Sequence, residues 1–325
     1  MTKIPFGTHG AVRRAAAIDI GTNSVLLLIA ELRGERVEAL VERATITRLG
    51  QDVDRTRRLA PEACARTLSC LQQYAHIIEQ MHVERVAVVG TSAMRDAEGG
   101  DDFVIDAERV LGTRPRVIAG TEEAHLSYAG ALAGLGVAGD VVVCDIGGGS
   151  TEIITGSVAG TNRTVSSAIS LDIGSVRLFE RHVTSDPPSA EQLQAVRADI
   201  QNALSGVPRP SLATTLVGVA GTITTLAAIE QGLIRYDPAL VHGARLERPT
   251  VQHLLLRLRV LSVAQRKMLP GLDPARADVI VTGAAIATEL LTWSGSEELV
   301  VSDRGVRWGL ILGMLAGEAA GTNPH

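Results

Sequence analysis

Cysteine is scarce in this sequence, and the few cysteines lack the spacing of a disulfide framework or a metal site. Cys64, Cys70 and Cys144 are the three cysteines among 325 residues, with no Cys-x-x-Cys pair or Cys/His cluster. An odd count with no recognisable signal peptide is typical of a reducing compartment. Because 46% of the residues are hydrophobic, two α/β domains can bury a core without disulfides or a structural metal. We expect buried thiols and a cytoplasmic location.

The sequence also lacks an uninterrupted apolar run long enough to cross a membrane. The most apolar segment near the N-terminus spans residues 15–30 and follows two arginines. Polar side chains interrupt it at Asp19, Asn23 and Ser24, and it is shorter than the roughly 20 apolar residues of a spanning helix. The pattern predicts a buried β-hairpin and no membrane partner.

Lysine is nearly absent, since Lys3 and Lys267 are the only two and every other basic residue is arginine. Neither lysine follows a glycine, which excludes a Walker P-loop. The planar fork of arginine suits phosphate oxygens, although a genome-wide preference for arginine gives the same composition. A net charge of −5 offers no general attraction for a polyanion, and we expect no nucleic-acid partner.

A degenerate internal duplication organises the chain. Residues 16–24 and 142–150 each contain an apolar strand, Asp-Ile-Gly, small or hydroxylated residues, and the start of a second apolar run. Residues 86–93 and 217–224 form a second pair, each with an apolar strand, Gly-Thr and a helix start. The offsets of 126 and 131 residues within these pairs are nearly equal. They indicate two copies of one α/β unit.

The order of strand and helix patterns predicts an α/β fold of two duplicated domains. Apolar residues at helical spacing cover residues 61–81, 123–135, 190–204 and 251–269. Strands alternating with helices predict mostly parallel sheets covered on both faces, apart from the hairpins. We place the first domain at residues 1–135 and the second at 136–305, divided near the glycine-rich stretch 134–139.

The glycine-rich turn at residues 147–151 has the chemistry of an anion-binding cradle. Its glycines let backbone N–H groups approach phosphate oxygens, and two hydroxyl groups add donors. A dinucleotide fingerprint is excluded, because Glu152 stands where that motif needs its third glycine. Residues 22–24 offer comparable donors in the first copy. The two turns, facing each other across a cleft, would hold one phosphate, although either could serve only to reverse the chain.

An aspartate precedes each turn, at Asp19 and Asp145. A carboxylate there would repel phosphate unless a divalent cation or a water molecule lies between them. Mg²⁺ is the expected cation, because it binds carboxylate, water and phosphate oxygens.

Two further segments offer groups for catalysis. Arg95 lies near the start of the helix after Gly-Thr-Ser, where a guanidinium could grip a phosphoryl group or pair with Asp96 or Glu98. Glu122 and Glu123 open another predicted helix, where acidic residues ordinarily complement the helix dipole. Burial beside phosphate would instead let one of them accept a proton from attacking water.

These motifs resemble those of the exopolyphosphatase and guanosine pentaphosphate phosphatase family, in its short two-domain form, within the actin, sugar kinase and heat-shock ATPase superfamily. The matches lie at residues 17–24, 47–50, 90–97, 120–124, 145–152, 221–222 and 302–305. Asp-Ile-Gly-Gly-Gly-Ser-Thr-Glu together with Glu-Glu-Ala is specific to this family. The resemblance implies two actin-like (ribonuclease H-like) domains around a phosphate-binding cleft that closes by a hinge, with a helix at 306–316 packing back on the first domain.

The resemblance also implies a role for each motif residue. Glu123 would be the base that activates water. Asp145, Glu152 and Asp19 would organise Mg²⁺ or water. The residues that would bind phosphate are Gly21, Thr22, Asn23, Ser24, Arg95, Gly147, Gly148, Gly149, Ser150, Thr151 and Thr222. Arg48 is a further candidate contact.

The predicted function is hydrolysis of the terminal phosphoanhydride of inorganic polyphosphate. The alternative is removal of the 5′-phosphate of guanosine pentaphosphate by the same site. A kinase of the superfamily fits Glu123 less well, because kinases must exclude water. A sensor that closes around a nucleotide without turnover is the remaining alternative, and a homodimer is left open.

Three features depart from the family pattern. Many members carry a basic residue where this chain has Leu26, so this side of a polyphosphate path would be less cationic. The chain is expected to lack the extra C-terminal domains of the longest members. Residues 171–175 imitate the first motif but continue into a helical run, and we interpret them as structural.

Overall fold

The computed structural model describes residues 14–34 and 36–316, which belong to two compact units. Of the described residues, the first unit comprises those up to Gly134 and those from Gly305, and the second comprises Leu135–Arg304. The part of the predicted first domain before residue 14 lies outside the described residues. Within the described ranges, no helix is both long and apolar enough to cross a membrane.

A mixed five-stranded sheet is the framework of the first unit. Its strands are β1 (Arg14–Ile20), β2 (Ser24–Arg33), β3 (Arg36–Ile46), β4 (Arg85–Gly90) and β5 (Arg116–Val117). The helices before residue 134 are α1 (Val53–Thr56), α2 (Pro61–Gln80), α3 (Ser92–Asp96), α4 (Gly100–Leu111) and α5 (Gly120–Ala131). The strand order is β3-β2-β1-β4-β5, in which β2 is antiparallel to β1 and β3, and β4 is parallel to β1 and β5.

The central strand β1 is apolar on both faces because each face covers a separate core. Ala16, Ile18 and Ile20 belong to the core that includes residues of α2 and α4, whereas Ala15 and Ala17 belong to a core on the opposite face. Alternate side chains of a strand point to opposite faces, so a strand buried on both reads as a continuous apolar run. The hairpin predicted for residues 15–30 is confirmed as β1 and β2.

A six-stranded sheet of the same design organises the second unit. Its strands are β6 (Gly139–Ile146), β7 (Thr151–Ala159), β8 (Asn162–Leu171), β9 (Thr215–Val219), β10 (Arg245–Glu247) and β11 (Glu298–Val301). Its helices are α6 (Ser175–His182), α7 (Ala190–Ser205), α8 (Ala220–Glu230), α9 (Pro238–Val241), α10 (Arg248–Arg259), α11 (Val263–Arg266) and α12 (Ile280–Ser294), with a 3₁₀ turn at Pro274–Arg276. The strand order is β8-β7-β6-β9-β11-β10.

The two sheets repeat one arrangement around their aspartates. Each aspartate is the penultimate residue of its strand, with a hairpin strand on one side and a parallel strand on the other. The cross-strand partners are Leu26 and Val89 for Asp19, and Glu152 and Val219 for Asp145. A β-bulge interrupts the outer strand pair at the equivalent place in both units, after Ile29 and after Thr155. The predicted duplication is therefore confirmed in strand order and register.

One predicted helix is divided in two. The prediction of a continuous helix over residues 251–269 is wrong, because α10 ends at Arg259 and α11 begins at Val263. Ser262 forms a capping box with Gln265, in which each side chain bonds the backbone N–H of the other. Such a box satisfies N–H groups that a new helix leaves without partners, which favours a restart over continuation.

The last helix, α13 (Val306–Leu315), packs in the first unit against α5 and β1. Two glycines allow the backbones of α5 and α13 to touch. A Cβ on Gly309 would overlap the carbonyl oxygen of Leu126 in α5, and a Cβ on Gly130 would overlap that of Gly305. The position of α5 therefore depends on a contact that admits no side chain.

Candidate active site

The carboxyl ends of three adjacent parallel strands bring the motifs of the first unit to one edge of the sheet. Ile20 of β1 pairs with Gly90 of β4, which pairs with Val117 of β5. The backbone continues this alignment, since Thr91 N donates to Ile20 O at 3.2 Å and Ile118 N donates to Gly90 O at 3.0 Å. The turn after β1 and the starts of α3 and α5 are thus neighbours, as ligand-binding segments of parallel sheets commonly are.

The turn after β1 is closed by its own backbone, with Gly21 N donating to Ser24 O at 3.0 Å. The hydroxyl of Thr22 is hydrogen-bonded to that of Ser92 at the start of α3, with 2.9 Å between the oxygens. Asn23 is only 5% exposed, and both polar atoms of its amide are buried without a hydrogen-bond partner in the described part of the chain. The described residues therefore leave this buried amide without a hydrogen bond.

Glu123 and Arg95 meet at this edge. One guanidinium nitrogen of Arg95 lies 3.3 Å from Glu123 Oε2 and donates to Ile118 O at 2.9 Å. Its other acidic neighbour is Asp96, at 3.8 Å, whereas Glu98 pairs with Arg58 instead. The contact between Arg95 and Asp96, which the sequence suggested as a surface ion pair, is therefore longer than the contact between Arg95 and Glu123.

The two glutamates of α5 have different environments. The Glu123 side chain is 11% exposed and faces Arg95. The Glu122 side chain is 41% exposed and pairs with Arg116 at 2.7 Å. A buried carboxylate beside a guanidinium is held in place by the charged hydrogen bond. The structure therefore places Glu123, and not Glu122, among the motif residues at this edge.

The three glycines of the turn in the second unit have their carbonyl groups directed toward α6. Ser175 N donates to Gly147 O at 3.0 Å, two further backbone N–H groups of α6 donate to Gly148 O, and Arg177 Nε donates to Gly149 O at 2.6 Å. In a trans peptide the next N–H points opposite to the carbonyl group. The N–H groups of residues 148–150 are therefore directed away from α6, which is the arrangement an anion cradle requires.

The segment 171–175, interpreted as structural, holds the back of this turn. A Cβ on Gly174 would overlap the backbone of Gly148, so glycine is needed for the close approach. Thr151 Oγ1 donates to Ile173 O at 2.6 Å. Arg177, which is 7% exposed, was missed by sequence reasoning. The signal for it is an arginine between two apolar residues of a short helix.

Two buried carboxylates face each other where the second hairpin begins. Asp145 and Glu152 are cross-strand partners, 8% and 1% exposed, and Ser170 Oγ donates to Glu152 Oε1 at 2.7 Å. No group of three or more His, Cys, Asp or Glu suited to a metal occurs in the ranges that the structure describes. Two carboxylates still suit Mg²⁺, which usually keeps several waters and takes one or two carboxylates together with substrate phosphate.

Cys144 precedes Asp145 but takes no part in this chemistry. Burial raises the pKa of its thiol to about 12, and the charge of Asp145 adds to the effect. A thiol with this pKa is protonated at neutral pH and is a poor nucleophile or metal ligand. The prediction of a buried thiol is confirmed for Cys70 and Cys144, whereas Cys64 is only partly buried.

The start of α8 adds a second basic group that the sequence did not indicate. Thr222 is 4% exposed and packs against Gly283 of α12. A Cβ on Gly221 would overlap the guanidinium of Arg276, which therefore lies directly on the Gly-Thr backbone. Burial lowers the pKa of this guanidinium, while Asp273 and Tyr236 oppose the effect. Arg276 lies in a 3₁₀ turn 55 residues after Gly221, beyond any local pattern.

The repeated sheet, with an acid and a turn at the same place in each copy, defines the two-domain actin-like class of α/β proteins. Comparison with known proteins identifies the family within this class. The chain belongs to the Ppx/GppA phosphatase family, whose model matches residues 28–318.

Relatives and solved structures agree with this membership. Exopolyphosphatase 2 of Mycobacterium tuberculosis is 43% identical over 324 residues, covering 94% of this chain and 99% of that protein. A Ppx/GppA family member from Aquifex aeolicus is 35% identical, with a TM-score of 0.80 over 95% of this chain and 100% of that one. An exopolyphosphatase from Cytophaga hutchinsonii is 25% identical, with a TM-score of 0.85 over 95% and 100% of the two chains. The predicted fold and family are confirmed.

Proposed function

We propose that this protein is an exopolyphosphatase, which releases orthophosphate from the end of inorganic polyphosphate. The observation that carries the proposal is the buried Glu123 carboxylate, held at 3.3 Å from Arg95 beside the turn after β1. A positioned base recruits water, as a hydrolase requires and a kinase avoids. The names of the Mycobacterium tuberculosis and Cytophaga hutchinsonii relatives support polyphosphate over guanosine pentaphosphate as the substrate.

The proposed reaction is a single phosphoryl transfer to water. Glu123 takes a proton from water while the water oxygen forms a bond to the terminal phosphorus. The bond from that phosphorus to the bridging oxygen breaks, and the bridging oxygen leaves with its electron pair as the new end of the shortened chain. Arg95 orients Glu123 and offers its remaining N–H groups to phosphoryl oxygens.

We also propose that the other predicted residues bind the substrate anion. The N–H groups at residues 148–150 act as donors to phosphoryl oxygens, with the hydroxyl of Ser150, and Thr222 contributes from the start of α8. Asn23 contributes from the turn after β1, where Gly21, Thr22 and Ser24 shape the backbone. Arg177 holds the glycine turn, since its Nε bonds Gly149 O at 2.6 Å.

A divalent cation, Mg²⁺ by preference, is part of the proposal. Asp145 and Glu152 would hold it, because two buried carboxylates on paired strands offer the oxygen ligands that Mg²⁺ takes together with water and substrate phosphate. When bound, the cation would neutralise charge on the phosphoryl oxygens. Asp19, which has Leu26 rather than an acid opposite it, stays a predicted ligand, and the cytoplasmic location and a homodimer stay predictions.

Glu152→Gln is expected to raise the Mg²⁺ concentration for half-maximal activity about 10-fold. The Mg²⁺ dependence is measured by Mg²⁺ titration of phosphate release, and thermal unfolding checks that the variant is folded. The matched control is Glu289→Gln, a buried glutamate bonded to Arg197 and Gln201, which should lower Tm and leave the Mg²⁺ dependence unchanged. An unaltered Mg²⁺ dependence in Glu152→Gln would contradict this role.

Orthophosphate release tests the proposed function directly. The purified protein is incubated with Mg²⁺ and polyphosphate, guanosine pentaphosphate, or ATP with a panel of sugars. Release from polyphosphate at a kcat/KM above that for guanosine pentaphosphate is the expected result. Release from the nucleotide alone, transfer to a sugar, or no release at all would each overturn the proposal.

A further inference from the structure

Helix α10 carries exposed apolar side chains on the face that points away from the core. Val251, Leu254 and Leu258 are buried in the core of the second unit. Leu256 is 54% exposed, and Val260 at the C-cap is 62% exposed. Side chains four residues apart lie on the same side of a helix. Leu256 and Val260 therefore form an apolar stripe that the described residues leave open to solvent.

Two arginines border this apolar stripe. Since a helix turns by about 100° per residue, Arg257 and Arg259 lie at opposite edges of the stripe. Both arginines are exposed, and neither forms an ion pair in the part of the chain that the structure describes. The outer face of α10 is therefore apolar along its centre and positive at its edges.

The outer face of α4 in the first unit has a similar pattern with the opposite charge. Ile105 is 41% exposed at its centre. Asp101 and Asp102 precede it by four and three residues, so they lie on the same face. Both are exposed and form no ion pair with another described residue. Arg109, the next basic residue along the helix, is already paired with Asp106 at 2.7 Å. The two aspartates therefore carry charge that α4 itself does not neutralise.

The difference in charge extends beyond these two helix faces. Residues 96–108 contain six acidic residues and no basic one, whereas residues 248–272 contain five basic residues and no acidic one. A symmetric contact of α10 with α10, or of α4 with α4, brings like charges together and is repulsive. Contact between the two different faces brings unlike charges together. The charge pattern therefore favours α10 against α4.

We propose that α10 of one copy of this chain docks on α4 of a second copy. The apolar stripe of α10 covers Ile105, and its two arginines face the two aspartates of α4. Burial of the apolar side chains supplies attraction, and the charged side chains determine which faces meet. Each copy has one α4 and one α10, so a two-fold dimer would contain the contact twice. The contact is independent of the proposed function, and it gives the homodimer that the sequence left open a defined surface.

Charge reversal in either face tests the proposal. The first variant carries Arg257→Glu and Arg259→Glu, and the second carries Asp101→Arg and Asp102→Arg. Sedimentation velocity over a range of protein concentrations is expected to show reversible self-association of the wild type, weakened by added salt. In each variant the Kd of self-association should rise at least about 100-fold, because attractions between unlike charges become repulsions.

An equimolar mixture of the two variants gives the decisive result. The first variant keeps its acidic α4 and the second keeps its basic α10, and the two reversed faces also have opposite charges. We expect the mixture to associate with a Kd within about 3-fold of that of the wild type. A variant that merely failed to fold could not recover its association in this way.

Arg85→Glu combined with Arg209→Glu is the matched control. Both arginines are exposed, form no ion pair within the described ranges and lie outside α4 and α10. This protein has the same net charge as the first variant and should self-associate like the wild type. A wild type that stays monomeric at every concentration, unchanged association in either variant, or a mixture that stays monomeric would overturn the proposal.

Discussion

Replacing Glu123 with glutamine is expected to lower kcat for orthophosphate release about 10³-fold while KM changes by no more than about 3-fold. The amide has the size of the carboxyl group, and its oxygen can still accept from Arg95, which lies 3.3 Å from Glu123 Oε2. It cannot take a proton from water. The loss should therefore appear in the chemical step, which steady-state rates over a range of polyphosphate concentrations measure directly.

The neighbouring residue supplies the control for this experiment. Glu122→Gln changes the same residue type in the same turn of α5, but its side chain is exposed and pairs with Arg116. Its kcat should stay within about 2-fold of the wild type, because exposed ion pairs contribute little. Equal losses in both variants, or a Glu123→Gln enzyme that keeps more than about a tenth of the wild-type kcat, would contradict the assignment of Glu123 as the base.

Gly309→Ala is expected to lower kcat about 10²-fold with a smaller change in KM, although Gly309 lies on α13 and not on the helix that carries Glu123. A Cβ at this position would overlap the carbonyl oxygen of Leu126, one turn after Glu123 in α5. Because the Cβ is fixed to the backbone of α13 and the oxygen belongs to the backbone of α5, the two helices have to move apart, which displaces α5 relative to the sheet edge. A displacement near 1 Å in a catalytic group costs rate on this scale, and overpacking should also lower stability by about 1–3 kcal/mol.

The same helix carries the matched control. Gly313 lies one turn further along α13, and a Cβ there would meet no atom within 4 Å. Gly313→Ala should leave kcat unchanged and raise stability by as much as ~1 kcal/mol, since alanine favours the helix over glycine. Kinetics and thermal unfolding of both variants test the argument. A Gly309→Ala protein that is less stable but has the wild-type kcat would show that the contact stabilises the fold without positioning Glu123.

Local patterns in the sequence were sufficient to predict the main strands, helices and turns of the two sheets. The apolar run of β1 and β2, the helix opened by Pro61 and the acid that precedes each turn depend on residues close together in the chain. Such patterns carry strand and helix periodicity and turn chemistry. The duplication was readable for the same reason, because each copy repeats its local pattern in the same order.

Two local signals compete between residues 251 and 269, where the capping box of Ser262 and Gln265 outweighs a continuous apolar periodicity. Contacts between residues far apart in the chain could not be predicted from local patterns. Arg276 reaches Gly221 from a separate turn, and Arg177 reaches Gly149 from the helix behind it. No spacing within either segment indicates such a contact.

The sequence by itself determined the class of fold and the family and supplied the residues proposed for the site, because these follow from short motifs and their order. Only the tertiary structure buried Glu123 beside Arg95 while leaving Glu122 exposed, directed the N–H groups of the glycine turn away from α6, and left the Thr47 hydroxyl without a partner among the described residues. The physical reason is that burial, ion pairing and hydrogen bonding are properties of neighbours in space. Packing of α5, α6 and the loop after β3 brings those neighbours together from distant parts of the chain.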